Sequence, residues 1–186
     1  MKIYTFMIDT FTIKHRQFLG WVLKQRNLRG IGVEVGVEFG IFSDILLRTT
    51  ELKRLVSIDR WDRLDHMYRA LSLLKVHGIR SECKRCDSVS ASREFENGSL
   101  DFVYLDAGHD LDSIRADLWS WWPKVRRGGM FSGHDYTNRP FEEGSGCYGV
   151  KQAVDEFVVR HGLRLHVTGE LSRYPNGIPS WYVFKS

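Results

Sequence analysis

Short apolar runs alternate with longer amphipathic segments along most of this chain. The runs have the length of buried strands, and the segments between them carry apolar residues at helical spacing. Such alternation is typical of βαβ units, in which parallel strands form one sheet and helices cover its faces. The sequence therefore predicts an α/β fold built on a mostly parallel sheet.

The order of the predicted elements is clearer than their exact ends. Strands are predicted at residues 31–35, 55–58, 79–86, 99–105, 130–132, 164–167 and 180–184, the third polar enough for a place near a sheet edge. Helices are predicted around residues 13–29, 41–48, 67–76, 113–125 and 150–161. Gly30 is expected to end the first helix, and Gly128 with Gly129 to turn the chain into the fifth strand. Residues 175–179 predict a hairpin-like turn between the last two strands.

The length and composition fit one domain. A chain of 186 residues that is 42% hydrophobic can bury one sizeable core and is short for two. We therefore expect residues 1–186 to form a single domain. The 27 Lys and Arg residues exceed the 23 Asp and Glu residues only slightly, and they are scattered. A nucleic-acid partner is disfavoured, because its binding footprint needs clustered positive charge.

The cysteines and the N-terminal segment bear on location. An odd number of cysteines and a first segment without a signal-type apolar region favour the cytoplasm and reduced thiols. Apolar runs stay below the roughly 18 residues that cross a bilayer, so no membrane segment is expected. Cys83 and Cys86 have the spacing of half a zinc site, but the second half is missing. Both are interpreted as strand thiols.

Acidic residues follow four of the predicted strands. They are Glu38, Asp59, Asp87 and Asp106. In an open parallel sheet the ligand crevice lies outside the carboxyl ends of the strands, so these carboxylates are expected to meet in one cleft. An acid after the second strand, here Asp59, can hold the hydroxyls of a ribose.

The turn after the first strand reads G-V-E-F-G, from Gly36 to Gly40. A dinucleotide fingerprint needs G-x-G-x-x-G so that backbone N–H groups can approach a pyrophosphate, whereas this turn adds bulk and the charge of Glu38. Repulsion between a carboxylate and a phosphate about 4 Å apart costs roughly 1 kcal/mol in water and about 4 kcal/mol at an effective dielectric of 20. A cofactor with a positive centre and no phosphate fits better, and S-adenosylmethionine has these properties.

Three segments resemble the small class I S-adenosylmethionine-dependent methyltransferases. They are GVEVGVEFGIFS at residues 32–43, Ile58-Asp59, and LDFVYLDAGHDLDSIRADLWSWWPKVRRGGMFSGHDY at residues 100–136, followed by GVKQAVDEF. The likeness covers the chain from about residue 30 to the end. Its closest pattern is the stand-alone group with LDAxH and GHDY segments, which is related to the metal-assisted O-methyltransferases. The resemblance implies a single Rossmann-like, doubly wound sheet, mostly parallel with an antiparallel last strand.

The resemblance also implies which residues would bind S-adenosylmethionine. Asp59 would hold the ribose hydroxyls, and Asp87 with Ser88 would lie near the adenine. Asp106 would contact the cofactor at the methyl-transfer centre. The chain departs from the family pattern at Glu38, where a glycine is common. The methionine end would be shaped by Glu34, Gly36, Glu38 and Gly40.

Asp106, His109 and His134 are the predicted catalytic residues. A hydroxyl nucleophile needs its proton removed or its pKa lowered. His109 is suited to the first task as a general base, and a divalent cation to the second as a Lewis acid. Asp106, His134 and Asp135 follow neighbouring strands and offer ligands for Mg²⁺ or Mn²⁺. The pair His134-Asp135 replaces the two carboxylates, or carboxylate and amide, of related metal-assisted enzymes.

Structural alternatives exist for several of these residues. Asp59 and Asp87 stand where Asp often caps the next helix. His109 and His134 are alternatively histidines that pack against the strand ends. Glu34 lies inside an apolar strand, so it needs a partner, either the cofactor's ammonium through water or an arginine.

Two further features have competing interpretations. Trp119, Trp121 and Trp122 offer a stacking surface, but their helix must cover the sheet, so core packing is favoured. The loop at residues 144–146 follows the GHDY segment on the cleft side, where substrate recognition is common.

Three functions are compatible with the sequence. The first is methyl transfer to a hydroxyl of a small-molecule or saccharide acceptor. The second, nucleic-acid methylation, lacks a basic stripe or an added recognition domain. The third, NAD(P)-dependent oxidoreduction, is disfavoured by Glu38 and by the missing third glycine. The helical lid of larger relatives is also missing, so the acceptor site is either open or covered by the second subunit of a homodimer.

Overall fold

The computed structural model describes residues 15–138, 149–169 and 177–186. In these ranges one sheet contains β1 (Ile31–Val35), β2 (Arg54–Asp59), β3 (Ser81–Arg85), β4 (Leu100–Leu105), β5 (Val125–Gly133), β6 (His166–Val167) and β7 (Trp181–Phe184). Their order across the sheet is β3-β2-β1-β4-β5-β7-β6. The first five strands pair in parallel, and β7 pairs antiparallel with both β5 and β6. The predicted sheet is confirmed, including its antiparallel last strand.

Helices cover both faces of this sheet. Those described are α1 (Leu19–Gln25), α2 (Ile41–Thr49), α3 (Leu64–Leu74), α4 (Ser88–Ser92), α5 (Leu111–Trp121) and α6 (Val150–His161). One buried cluster joins α1, α2 and α3 to Leu55 and Phe102 of the sheet. Another joins α4, α5 and α6 to Val56 and Val103. Because successive side chains of β2 and β4 enter opposite clusters, the sheet lies between two helical layers, as a doubly wound fold requires.

Burial falls from the centre of the sheet to its edge. Every residue of β4 is buried, and so is most of β1. Strands buried on both faces are nearly continuous apolar runs, which is why the sequence predicts these two well. β3 lies at the edge, as predicted, and its residues are partly exposed. Its charged side chains Glu82 and Lys84 pair with Arg54 and Glu94.

The N-terminal helix ends earlier than predicted. Its described part stops at Gln25 rather than near residue 29. Asn27 has a left-handed backbone, with a φ of 55°. The amide of Leu28 donates to the carbonyl of Leu23 at 2.9 Å. This is a Schellman arrangement with Asn27 in the left-handed position, so asparagine ends the helix where the prediction relied on Gly30.

β5 begins earlier than predicted and contains a bulge. The prediction placed the strand at 130–132, with Gly128 and Gly129 turning the chain into it. Both glycines lie inside the observed strand, where the register with β4 shifts. Gly128 has a φ of 74°, which suits the residue that forms a bulge. The two glycines therefore distort the strand instead of preceding it.

α4 is a short helix that the sequence analysis did not predict. It follows Asp87 directly and contains only five residues, SVSAS. Such a segment carries no apolar residues at helical spacing over a useful length, so periodicity gives no signal. This helix packs in the same buried cluster as α5, and its first residues, Ser88 and Val89, line the cleft described below.

The tryptophans in the last turn of α5 and directly after it serve packing, as favoured above. Trp121 is fully buried. Trp122 packs against Phe131 and against the edge of Phe157. Trp119 is the most exposed of the three and contacts the edge of Phe157 from the outer side. The cluster joins α5 to α6 and to the sheet.

Cys83 and Cys86 are free thiols. Cys83 lies in β3, and Cys86 follows that strand. Among the described residues, neither belongs to a group with the geometry of a metal site. The interpretation as a strand thiol is therefore confirmed for Cys83, whereas Cys86 lies one residue beyond the strand.

Two predicted features fall outside the described ranges. They are the loop at residues 144–146 and the first part of the hairpin-like turn, residues 175 and 176. In the part of the chain that is described, no helix is both long and apolar enough to cross a bilayer.

Candidate functional site

A cleft of about 760 Å³ opens at the carboxyl ends of the central strands. This volume lies within the range of small-molecule and cofactor sites, roughly 300–1,000 Å³. Its walls come from the turn after β1, the loops after β2 and β4, the start of α4 and the first two turns of α5. All four strand-end acids of the sequence analysis line it, so their predicted convergence is confirmed. The acids in the lining are Glu38, Asp59, Asp62, Asp87, Asp106, Asp110 and Asp117.

Gly36 allows the turn after β1 to approach the end of β4. It has a φ of 85°, in the left-handed region. A Cβ at this position would lie 1.9 Å from the carbonyl oxygen of Asp106. Both the backbone angle and the contact therefore require glycine. Because the Asp106 amide also donates to the carbonyl of Val35 at 2.7 Å, Asp106 is held beside this turn.

Asp59 holds the same turn from the other side. Its Oδ2 accepts from the amides of Val37 and Glu38, at 2.8 and 2.9 Å. Its Oδ1 accepts from the amide of Trp61 at 2.6 Å. The helix-cap alternative does not apply to α3, which begins only after Arg63. Asp59 therefore shapes the cleft wall directly, and its contact with a ribose stays a prediction.

Glu38 adopts the backbone conformation that a glycine favours. Its φ is 50°, and its carbonyl accepts from the indole nitrogen of Trp61 at 2.8 Å. Its side chain is 64% exposed, and the nearest imidazole, His66, is 3.8 Å away. A left-handed residue other than glycine costs roughly 1–2 kcal/mol. The carboxylate therefore lies at the open side of the cleft, on a strained backbone.

Glu34 and Gly40 stand behind the cleft wall. Glu34 is buried and accepts from Ser43 Oγ, which also contacts Ser57 Oγ at 2.6 Å. Burial raises the pKa of Glu34 to about 8, although the Ser43 hydrogen bond opposes this. Its direct partner is thus a serine, which the sequence analysis did not predict. Gly40 directly precedes α2 with a φ of 79°, and a Cβ at this position would lie 3.2 Å from the Cα of Ala70.

Asp106, His109, His134 and Asp135 meet at the ends of β4 and β5. His134 Nδ1 is 2.9 Å from Asp135 Oδ1 and 3.6 Å from Asp106 Oδ1. His109 Nε2 is 3.0 Å from Asp135 Oδ2 and 3.9 Å from Asp106 Oδ1. The three residues predicted to be catalytic therefore share one centre, with Asp135 between two imidazoles.

Arg16 also reaches this centre, and no motif indicated it. It lies in a 3₁₀ turn directly before α1. Its Nη1 donates to Asp106 Oδ2 at 2.7 Å, and its guanidinium lies 5.1 Å from the centre of the Phe42 ring. The contact joins residues 90 positions apart. Only the packing of α1 against the sheet brings this charge to the site.

The two carboxylates of the centre differ in acidity. Burial raises the pKa of Asp106, and the charges of His134 and Arg16 only partly oppose this. Burial also acts on Asp135, but the hydrogen bond and charge of His134, with that of His109, lower its pKa overall. Asp135 is thus the stronger acid of the two, and Asp106 keeps its proton to a higher pH.

The same centre can hold a divalent cation. Asp106, His134 and Asp135 each offer one ligand atom, and these atoms lie within 4.8 Å of one another. Carboxylate oxygens with one imidazole suit Mg²⁺ or Mn²⁺. Arg16 occupies Oδ2 of Asp106, which leaves Oδ1 on the side of His134. The donor set therefore fits the predicted ion.

Asp87 and Ser88 lie at the other end of the cleft. Asp87 accepts from the amide of Ser90 at 3.0 Å and so caps α4, the structural alternative considered for it. It also lines the cleft. Ser88 Oγ accepts from the indole nitrogen of Trp121 at 2.9 Å and donates to Asp117 Oδ1.

Asp117 is a cleft residue that the sequence analysis missed. Its side chain is almost fully buried, with 4% of the residue exposed. Burial raises its pKa to about 6, and the charges of Asp87 and Asp110 add to this effect. A signal was available, because Asp117 stands among Ile114, Leu118 and Trp121 on the buried stripe of α5. An acid on that stripe is costly without a function or a partner.

Comparison with known proteins places this geometry in context. A family model described as a methyltransferase domain matches residues 31–136. A search of curated proteins found no match.

Solved structures share the fold over most of this chain. An O-methyltransferase from Bacillus cereus in complex with SAH is 17% identical, with a TM-score of 0.64, covering 91% of this chain and 80% of that one. The O-methyltransferase TomG from Streptomyces achromogenes, involved in tomaymycin synthesis and in complex with SAM, is 18% identical, with a TM-score of 0.63 and coverages of 91% and 79%. A SAM-dependent O-methyltransferase from Thermotoga maritima is 16% identical, with a TM-score of 0.61 and coverages of 96% and 68%. At these identities the likeness establishes a common fold.

Proposed function

We propose, since this chain belongs to the methyltransferase domain family, that it transfers a methyl group from S-adenosylmethionine to a hydroxyl of a small molecule or saccharide. The observation that carries the proposal is the acid-lined cleft, which begins at a turn carrying Glu38 instead of the open glycine turn of a phosphate site. Negative side chains around a cleft raise the local concentration of a cationic ligand. The relatives solved with SAH or SAM agree with this assignment.

The cleft residues divide the binding of S-adenosylmethionine among them. When bound, this cofactor supplies a methyl group on a positively charged sulfur. The turn at Gly36, which lies against the backbone of Asp106 because it has no side chain, would accept its methionine end. Asp59 would hold the ribose hydroxyls, and Asp87 with Ser88 would flank the adenine. The protein's main contribution is to align the acceptor oxygen with the methyl carbon.

His109 provides one route to an activated hydroxyl. Its Nε2 is buried and lies 3.0 Å from Asp135 Oδ2. The acceptor proton would therefore be taken at Nδ1, and the anionic Asp135 would stabilise the imidazolium that forms. This route needs only side chains of the chain itself.

The candidate metal centre provides a second route. Asp106, His134 and Asp135 would hold Mg²⁺ or Mn²⁺, which when bound lowers the pKa of a hydroxyl as a Lewis acid. His109 would then orient the acceptor through a hydrogen bond. The two routes differ in their response to a chelator.

A methyl-transfer screen tests the proposal. The protein is incubated with methyl-labelled S-adenosylmethionine and separate panels of hydroxylated sugars, phenols and nucleic acids. Label on an oxygen of a sugar or phenol is the expected result. Label mainly on nucleic acid would support the alternative acceptor class, and failure to transfer label to any panel would contradict the proposed activity.

A further inference from the structure

The cleft has an inner wall in which the proposed function assigns a role to Ser88 alone. It is formed by Ser88 and Val89 of α4 and by Ala116 and Asp117 of α5. We call these residues the inner wall. Asp117 is the charged residue of these four, and its side chain is more than nine-tenths buried although it lines the cleft. The methyl-transfer centre at Asp106 lies at the ends of other strands.

A hydrogen-bond chain fixes the orientation of Asp117. The indole nitrogen of Trp121 donates to Ser88 Oγ, and this hydroxyl donates to Asp117 Oδ1. Because the indole can only donate, the serine proton is directed to the carboxylate. Within the described ranges, no other hydrogen bond and no ion pair reaches Asp117. Its Oδ2 is therefore left as an acceptor on the cleft side.

The environment of Asp117 favours a ligand that donates a hydrogen bond to its carboxylate. The negative charges of Asp87 and Asp110 both disfavour ionisation of Asp117. A buried carboxylate without a cation is costly, and a hydrogen bond from a bound ligand removes part of that cost. The small apolar side chains of Val89 and Ala116 beside it suit a flat ring rather than a charged group.

We infer that Asp117 accepts a hydrogen bond from the exocyclic amino group of the adenine, and so makes the inner wall selective for the base of the bound cofactor. The inference rests on the proposed function, because it takes the ligand to be an adenosyl compound. Ser88 is the positioning residue, since it holds Oδ1 and leaves Oδ2 to the base. An amino group is the feature of adenine that a carboxylate can recognise as a hydrogen-bond donor.

The stability of variants separates recognition from a structural role. A buried acid with a raised pKa destabilises the folded protein once it ionises. Replacing Asp117 by Leu removes this cost, so the variant is expected to be at least as stable as the wild type near pH 7. A purely structural Asp117 would instead make Asp117→Leu less stable. Thermal unfolding of the full chain measures the difference.

Calorimetry with two ligands tests the recognition itself. One ligand is S-adenosylhomocysteine, and the other is its analogue with unsubstituted purine, which lacks only the exocyclic amino group. Wild-type protein is expected to bind the adenosyl ligand roughly 10- to 100-fold more tightly, the range of one hydrogen bond to a charged acceptor. Asp117→Leu should bind the two ligands within about threefold of each other. Asp117→Asn keeps a carbonyl acceptor and should retain part of the preference.

The control is Asp112→Asn, which removes a 97% exposed carboxylate from the same helix and should leave the preference unchanged. Equal binding of both ligands by the wild type, or an undiminished preference in Asp117→Leu, would overturn the inference while leaving the proposed function intact. Failure of the wild type to bind either ligand would overturn both. If Asp117→Leu does not fold, the role is structural and the inference is wrong.

Discussion

The two ends of the cleft treat their buried carboxylates in opposite ways. At the ends of β4 and β5, Asp106 and Asp135 are surrounded by a guanidinium and two imidazoles at 2.7–3.9 Å. At the α4–α5 end, Asp117 accepts one hydrogen bond from the described part of the chain, and its donor is the Ser88 hydroxyl. In the first group Asp135 is stabilised as an anion before any ligand arrives, and the nearby positive charges offset part of the cost of burying Asp106. The second leaves its compensation to the ligand.

This difference separates chemistry from recognition. Groups that act in a transition state work best when their charges are already oriented, because reorganisation then costs nothing during the reaction. A group that recognises a ligand gives selectivity when its hydrogen-bonding capacity is not filled in the free protein. A ligand that lacks the right donor then leaves this group buried and unpaired. The proposed methyl-transfer centre follows the first rule, and the proposed recognition by the inner wall follows the second.

The largest expected effect comes from neutralising Asp106. Asp106→Asn keeps the shape and an acceptor for Arg16 but removes the charge, and turnover is expected to fall at least ~100-fold. Binding of S-adenosylhomocysteine should change less, because the residues assigned to its ribose and adenine are untouched. Steady-state kinetics with calorimetry checks both. Asp112→Asn serves as the exposed control, and normal turnover in Asp106→Asn would place the centre elsewhere.

Removing a divalent cation should have the next largest effect. If the metal route operates, EDTA treatment is expected to lower methyl transfer roughly 10- to 100-fold, and added Mg²⁺ or Mn²⁺ should restore it. The binding preference for the adenosyl ligand should survive chelation, which sharpens the contrast between the two ends. Full activity in EDTA would rule out the metal route and leave His109 as the base.

Glu34 extends the comparison to a carboxylate outside the cleft. Its pKa is raised to about 8 in the folded protein, from an ordinary value of 4.5. A raised pKa means that its contribution to stability is complete below about pH 4.5 and is lost as the pH rises through about 8. Glu34→Gln should therefore gain stability relative to the wild type by up to about 1.4 kcal/mol per pH unit in that window.

Urea unfolding of both proteins between pH 5 and pH 9 measures this gain. Glu51→Gln, at a half-exposed position, is the control and should follow the wild type. A constant difference between Glu34→Gln and wild type across the window would show that Glu34 is not protonated by burial.

The smallest expected effect concerns the strained turn at Glu38. Glu38→Gly and Glu38→Ala both remove the carboxylate, but only glycine relieves the left-handed backbone. Glu38→Gly is expected to be about 1 kcal/mol more stable than Glu38→Ala. Thermal unfolding measures the pair. Equal stability would mean that the turn changes its conformation when the side chain is shortened.

The sheet and its acidic edge are predictable because they depend on local patterns. Strands β1 and β4 are continuous apolar runs, and the acids that follow strands must emerge at one edge of a parallel sheet. The cluster of Asp106, His134 and Asp135 follows from the same rule, because β4 and β5 are neighbours. Topology alone therefore brings together the residues of the proposed methyl-transfer centre.

The remaining parts of the site depend on packing between distant segments. Arg16 meets Asp106 only because α1 docks on the sheet, 90 residues away in sequence. Asp117 is visible as an acid on an apolar stripe, but its partner Ser88 belongs to a helix too short to show a period. A single sequence contains no local signal for either contact.

Calorimetry of the wild-type protein with S-adenosylhomocysteine and, separately, with NAD tests the central claim that the cleft receives an adenosyl group without a diphosphate. The account predicts a saturable heat of binding for S-adenosylhomocysteine and none for NAD. Binding of NAD without binding of S-adenosylhomocysteine would contradict it.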